Sequence, residues 1–123
     1  MILGHCPPYV LYELIRPVGS LPIPIAFDEA QALFEQAKKF YGQEEYRQAG
    51  TVFMEVAQKL RLEKGQPYWE AFAANRIFAY ENAVLAWMMN DALDRARRSL
   101  GKAAETDTLC ADNIHHLLEQ ISS

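Results

Sequence analysis

Cysteine is scarce in this sequence. The 123 residues include only Cys6 and Cys110, too few and too far apart for a secreted disulfide scaffold, so both read as free thiols in a reducing compartment. A basic excess is missing as well: 12 Lys and Arg stand against 16 Asp and Glu, for a net charge of −4. That balance leaves no electrostatic footprint for nucleic acid or an anionic lipid surface. No apolar run suits a membrane span, because Glu70, Arg76, Glu81 and Asn82 interrupt the most apolar stretch, residues 67–89. The N-terminus lacks the basic region of a signal peptide, and Pro7, Pro8 and Pro17 break the apolar run one would need. The expectation is a cytoplasmic protein with no membrane segment.

Catalytic signatures are equally thin. There is no Gly-rich phosphate loop, no conspicuous carboxylate pair, and no Cys, His and Asp arrangement with a nucleophile context. A zinc site would have to be made from His5, Cys6, Cys110, His115 and His116. Their spacing does not serve one, since adjacent histidines on a helix point about 100° apart. The sequence therefore implies no catalytic residue, no metal and no cofactor, and an enzyme or small metal-binding protein is the least favoured reading.

What is present is an ordinary globular composition, 50% apolar and 23% charged, at a length that suits one domain. Residues 1–27 stand apart, holding five of the six prolines and only two formal charges, Glu13 and Arg16. Residues 8–15 read as two helical turns ended by Pro17 and Gly19. After them, Leu21, Ile23, Ile25 and Phe27 would share one face of an extended chain. Pro22 and Pro24 cannot donate to a ladder, so the segment reads as an apolar ribbon laid on helices.

From Asp28 onward the apolar period is helical. Asp28 with Gln31 resembles a capping box, Leu33, Ala37 and Phe40 mark a buried face, and Gly42 suits the residue after the helix end. A second helix over about residues 44–63 carries Tyr46, Ala49, Phe53, Val56, Ala57 and Leu60 on one stripe. A third, residues 67–89, opens on Pro67 at the first helical position. It shows two stripes, Ile77, Tyr80, Val84 and Trp87 on one and Phe78, Leu85 and Met88 on the other, so both sides need cover. The fourth, about 91–104, buries Leu93, Ala96, Leu100 and Ala103, while Asp91–Arg95 and Asp94–Arg98 pairs hold its arginines on a solvated face. Asp107 or Thr108 caps a fifth that buries Ile114, Leu117, Leu118 and Ile121. No segment alternates as a strand with turn chemistry, so the fold class is all-α.

The first two helices match the next two in register: Leu33, Ala37, Phe40, Tyr46, Ala49, Phe53 and Val56 lie at a constant offset from Tyr80, Val84, Trp87, Leu93, Ala96, Leu100 and Ala103. Alternation of small and large side chains specifies closely packed antiparallel helices. At these residues the chain resembles tetratricopeptide repeats, from about 30 to 61 and more loosely from 77 to 108. Several positions depart from the family pattern: Arg61 and Thr108 replace a common proline, Gln36 and Ala83 a Leu, and Val84 a Gly or Ala. The period also exceeds the family's usual length of about 34 residues, and the excess falls in the first half of the third helix. The resemblance implies two hairpins with an extended third helix, a C-terminal capping helix, and a helical domain over residues 28–123 preceded by the Pro-rich segment 1–27.

It further implies that the first helix of each hairpin lines a concave groove that binds a protein segment. Gln31, Phe34, Lys38 and Tyr41 would face it from one, and Phe78, Glu81, Asn82, Leu85, Met88 and Met89 from the other. The family's terminal-carboxylate clamp is absent, because Phe34 and Glu81 stand at its Lys positions and Lys38 and Leu85 at its Asn positions. The expected function is a non-catalytic adaptor, scaffold or chaperone-like module, with Lys38 and Glu81 setting the orientation of an apolar segment. Tyr68, Trp69 and Phe72, on the overhanging half of the third helix, form a second expected contact. The alternative is a structural homodimer whose groove is filled by residues 1–27, in cis or exchanged between subunits.

Overall fold

A computed structural model describes residues 10–122, apart from the side chain of Ser122. His5, Cys6 and the start of the short helix expected at residues 8–15 therefore lie outside the described residues. Residues 10–18 of that stretch carry no helix. Five helices follow: α1 Ala26–Gly42, α2 Tyr46–Lys59, α3 Trp69–Met89, α4 Leu93–Thr106 and α5 Ala111–Ser122. Each packs on the next, and α3 also meets α5: α1 meets α2, α2 meets α3, α3 meets both α4 and α5, and α4 meets α5. Among the described residues there is no strand.

The helix ends differ from the expected ones for identifiable reasons. α1 starts ahead of Asp28, with the Phe27 N–H bonded to the Pro24 carbonyl at 3.0 Å. Asp28 caps nothing; its carboxylate pairs with Arg16 at 3.1 Å, while Asp28 and Glu29 still complement the helix dipole. Gly42 remains helical, and the left-handed residue after α1 is Glu44, at φ 64. Pro67 precedes α3 rather than opening it, because the backbone turns through Gly65 (φ 98) and Tyr68 (φ 67) first. Asp91 likewise occupies a left-handed turn (φ 53) instead of starting α4. Asp107, expected as a cap for α5, is buried in an ion pair described below.

Alanines make the close approaches. Ala30, Ala37, Ala49, Ala57, Ala79, Ala83, Ala86 and Ala96 are all fully buried, and between them the large rings interlock. Phe34 packs on Phe53 at 5.8 Å between centroids, and Tyr41 meets Tyr46 edge-on at 5.4 Å. The core face of α1 is thus Phe27, Ala30, Phe34, Ala37 and Tyr41, while Leu33 and Phe40 are half-buried. This stripe, spaced by three and four, lies beside the expected one.

The tightest contact joins α2 to α3. The indole of Trp87 lies flush against the backbone of Gly50, where an added Cβ would overlap the ring. Trp87 is fully buried, so the ring has nowhere to retreat. Gly50→Val is expected to cost about 1–3 kcal/mol through this overlap. Thermal denaturation measures it, and an unchanged melting temperature would mean that the two helices are free to separate.

Candidate functional site

The groove begins with two amides. α3 is nearly apolar on every side, yet Asn75 and Asn82 sit two helical turns apart and are buried (2% and 0% exposed). A buried amide needs partners, and both find the backbone of the N-terminal segment, residues 10–25. Asn82 accepts from the Tyr12 N–H at 2.8 Å and donates to the Tyr12 carbonyl at 2.8 Å. Asn75 accepts from the Ile15 N–H at 2.7 Å and donates to the Ile15 carbonyl at 2.9 Å.

The spacing explains the fit. Seven helical residues rise about 10.5 Å, and three extended residues span about 10 Å. Two side chains two turns apart therefore grip every third residue of an extended chain running antiparallel to α3.

Side chains complete the hold. Tyr12 stacks on Phe78 at 5.6 Å and 15°. Its phenol sits beside Glu81, whose negative charge, followed by a hydrogen bond and slight burial, raises its pKa above the ordinary value. Glu13 pairs with Lys38 of α1 at 3.2 Å, and Lys38 also reaches Glu35 at 3.6 Å. Arg16 pairs with Asp28 and lies over the Phe27 ring, 5.6 Å from its centroid. The only two charges of residues 1–27 are thus both spent on α1, and the segment runs antiparallel to α1 as well as to α3. Leu11 and Leu14 pack on the core, and Pro17 is buried.

The expected groove residues divide. Phe34 and Tyr41 are a correction: they are core (0% and 6% exposed), because the side of α1 that faces α2 includes them. Lys38, Phe78 and Glu81 meet the N-terminal segment as described. Leu85 and Met88 line a cleft of about 420 Å³ with Val10, Tyr12, Leu117 and Ile121, and Met89 is half-buried against the core. The second expected contact is covered by the chain itself. Phe72 is fully buried and packs on Phe27 at 6.0 Å, the Tyr68 hydroxyl donates to the Leu21 carbonyl, and Trp69 lies under the Lys64 ammonium, 5.8 Å from its ring. Asn75 is not among the residues expected from the sequence. Its signal was an amide seven residues before Asn82 in a helix otherwise short of polar residues.

A second polar cluster ties the far side of α3 to the α4–α5 connection. Asp107 receives the Arg76 guanidinium through Nε at 2.8 Å and Nη2 at 3.1 Å, and the Tyr80 hydroxyl at 2.7 Å. The remaining Arg76 nitrogen, Nη1, donates to the Leu60 carbonyl at 3.0 Å. Burial works to raise the Asp107 pKa, but hydrogen bonds from Arg76 and Tyr80 and the charges of Arg76 and Arg61 outweigh it and hold the carboxyl below its ordinary value. Burial and the bond to Asp107 push the Tyr80 phenol well up. Cys110, beside them, donates to the Ala73 carbonyl at 3.5 Å, and burial raises its thiol to about 11. At neutral pH this thiol is protonated and packed away.

Among the described residues no three His, Cys, Asp or Glu side chains group as metal ligands, and His115 and His116 are exposed. No helix among them is long and apolar enough to cross a membrane. On α4 the ion pair is Asp94 to Arg97 at 2.8 Å, one residue short of the expected Asp94–Arg98 spacing. No protein-family description matches this chain, and neither a curated protein nor a solved structure matches it.

Proposed function

We propose that this protein is a non-catalytic interaction module whose α1/α3 groove holds an extended polypeptide, with its own residues 10–18 as the resident occupant. The observation that carries the reading is the pair of buried amides, Asn75 and Asn82, each making two bonds to one residue's backbone. Side-chain amides that grip main chain recognise an extended conformation and its direction, and accept many sequences. The tetratricopeptide-like register of the hairpins is part of the same proposal, since it makes α1 and α3 the two groove helices.

The test starts from the full chain carrying a protease site between exposed Ser20 and Leu21, cleaved after folding. Residues 10–18, supplied as a labelled peptide, are expected to exchange with the resident fragment at one peptide per chain. No uptake by a cleaved chain that has shed its own fragment and kept its helicity would sink the reading.

A second reading, the homodimer, is favoured by apolar side chains that the segment leaves exposed. Val10, Ile15, Val18, Leu21 and Ile25 are all more than half exposed there (89%, 62%, 95%, 57% and 75%). Exposed apolar side chains in that number invite cover. Light scattering of the uncut chain separates the two, a mass of two chains favouring the dimer.

A further inference from the structure

Resting on the groove reading above, we infer what the groove selects: an extended segment of a partner chain, antiparallel to α3, that presents an aromatic residue, then an acid, then after two further residues a base followed by proline. The pattern is that of Tyr12, Glu13, Arg16 and Pro17. Residues 10–18 serve as its built-in copy, and a partner carrying it displaces them.

The amides fix direction and spacing while leaving sequence free, so selectivity falls to the side chains beside them. The aromatic position meets the face of Phe78. One residue on, a carboxylate meets Lys38, whose ammonium also lies 5.4 Å from the Phe34 centroid and is thereby held in place. Three residues further, a guanidinium meets Asp28 and the Phe27 ring together. Proline follows in a buried position that requires no donor, and its ring keeps Arg16 extended, continuing the conformation in which the amides hold Tyr12 and Ile15.

The two charges make the pattern polar along its length. Interchanging acid and base would set like charges against both Lys38 and Asp28.

Displacement is feasible because the charged contacts of the resident copy are weak, and a partner's segment can repeat its apolar ones. Its ion pairs are largely exposed, with Glu13, Arg16 and Asp28 side chains each at least 60% accessible, and such pairs contribute little. Tethering is what favours the resident copy, by raising its effective concentration. A partner's segment makes the same backbone bonds.

The cleaved chain described above supplies the test, with two labelled peptides of residues 10–18: the natural sequence and one carrying Glu13→Arg with Arg16→Glu. The natural peptide is expected to bind about tenfold more tightly. In a cleaved chain carrying Lys38→Glu with Asp28→Lys, the preference is expected to reverse. Equal uptake of both peptides would overturn this inference and leave the groove reading standing. Uptake of neither would overturn both.

Discussion

Asp107→Ala is expected to cost about 3–5 kcal/mol of stability, because it strands the Arg76 guanidinium in a buried site. Asp107 and Arg76 are each only 3% exposed. Two guanidinium nitrogens and the Tyr80 hydroxyl all lose their acceptor in the variant. The remaining bond from Arg76 to the Leu60 carbonyl neutralises no charge. Chemical denaturation measures the loss, and a change under 1 kcal/mol would mean that water reaches Arg76 when the carboxylate is removed.

The same group makes stability depend on pH. Since folding depresses the Asp107 pKa, its contribution is fully present above the unfolded value, about pH 3.9. It is lost as pH falls through the depressed folded value. Asp107→Asn is expected to remove this part of the acid transition and to flatten the fall in stability below about pH 4. An acid limb as steep as the wild type's would assign it to other carboxylates.

The double substitution Asn75→Ala with Asn82→Ala is expected to release residues 10–18 while leaving the five helices in place. Four hydrogen bonds between the amides and the Tyr12 and Ile15 backbone disappear. At about 1 kcal/mol each, the local loss is about 2–4 kcal/mol. Amide hydrogen exchange reads it directly: Tyr12 and Ile15 should lose protection by a factor of about 30 to 1,000, and helical amides in α2 should not. Unchanged protection at Tyr12 and Ile15 would show that the Phe78 stack and the ion pairs suffice. The side-chain chemistry supports the expected outcome, because the Arg16–Asp28 and Glu13–Lys38 contacts between this segment and α1 are solvent-exposed.

Much of this architecture was legible in the chain. The helix order follows from apolar residues repeating at three and four, and from Gly, Pro and turn residues between them, all of which are local signals. The ends were less legible. Asp28 has the chemistry of a cap, but a guanidinium twelve residues earlier occupies its carboxylate. Asp107 has the same chemistry and is drawn inward by Arg76, thirty-one residues earlier. A capping residue is identified by what is near it in sequence; whether it caps depends on what reaches it in space.

The groove shows the same division. The resemblance to tetratricopeptide repeats puts Lys38, Phe78 and Glu81 there, and the structure sets them beside residues 10–18. The same resemblance puts Phe34 and Tyr41 with them, and both belong to the core. The apolar arc of α1 is wide enough to contain two stripes, Leu33–Ala37–Phe40 and Ala30–Phe34–Ala37–Tyr41, and spacing cannot choose between them. The choice is made by how α2 settles on α1, through Phe53 against Phe34 and Tyr46 against Tyr41.

By itself, then, the sequence determined the all-α class, the order of the five helices and the oddity of a Pro-rich apolar segment ahead of them. Periodicity and backbone punctuation are local properties that survive without knowledge of neighbours. Only the tertiary structure decided which side of α1 is core, that Asn75 and Asn82 hold the N-terminal segment, and that Arg76 meets Asp107. Each of those pairings joins residues far apart in the chain, and each is selected because a buried polar group or a wide apolar face is stable only when a particular partner covers it.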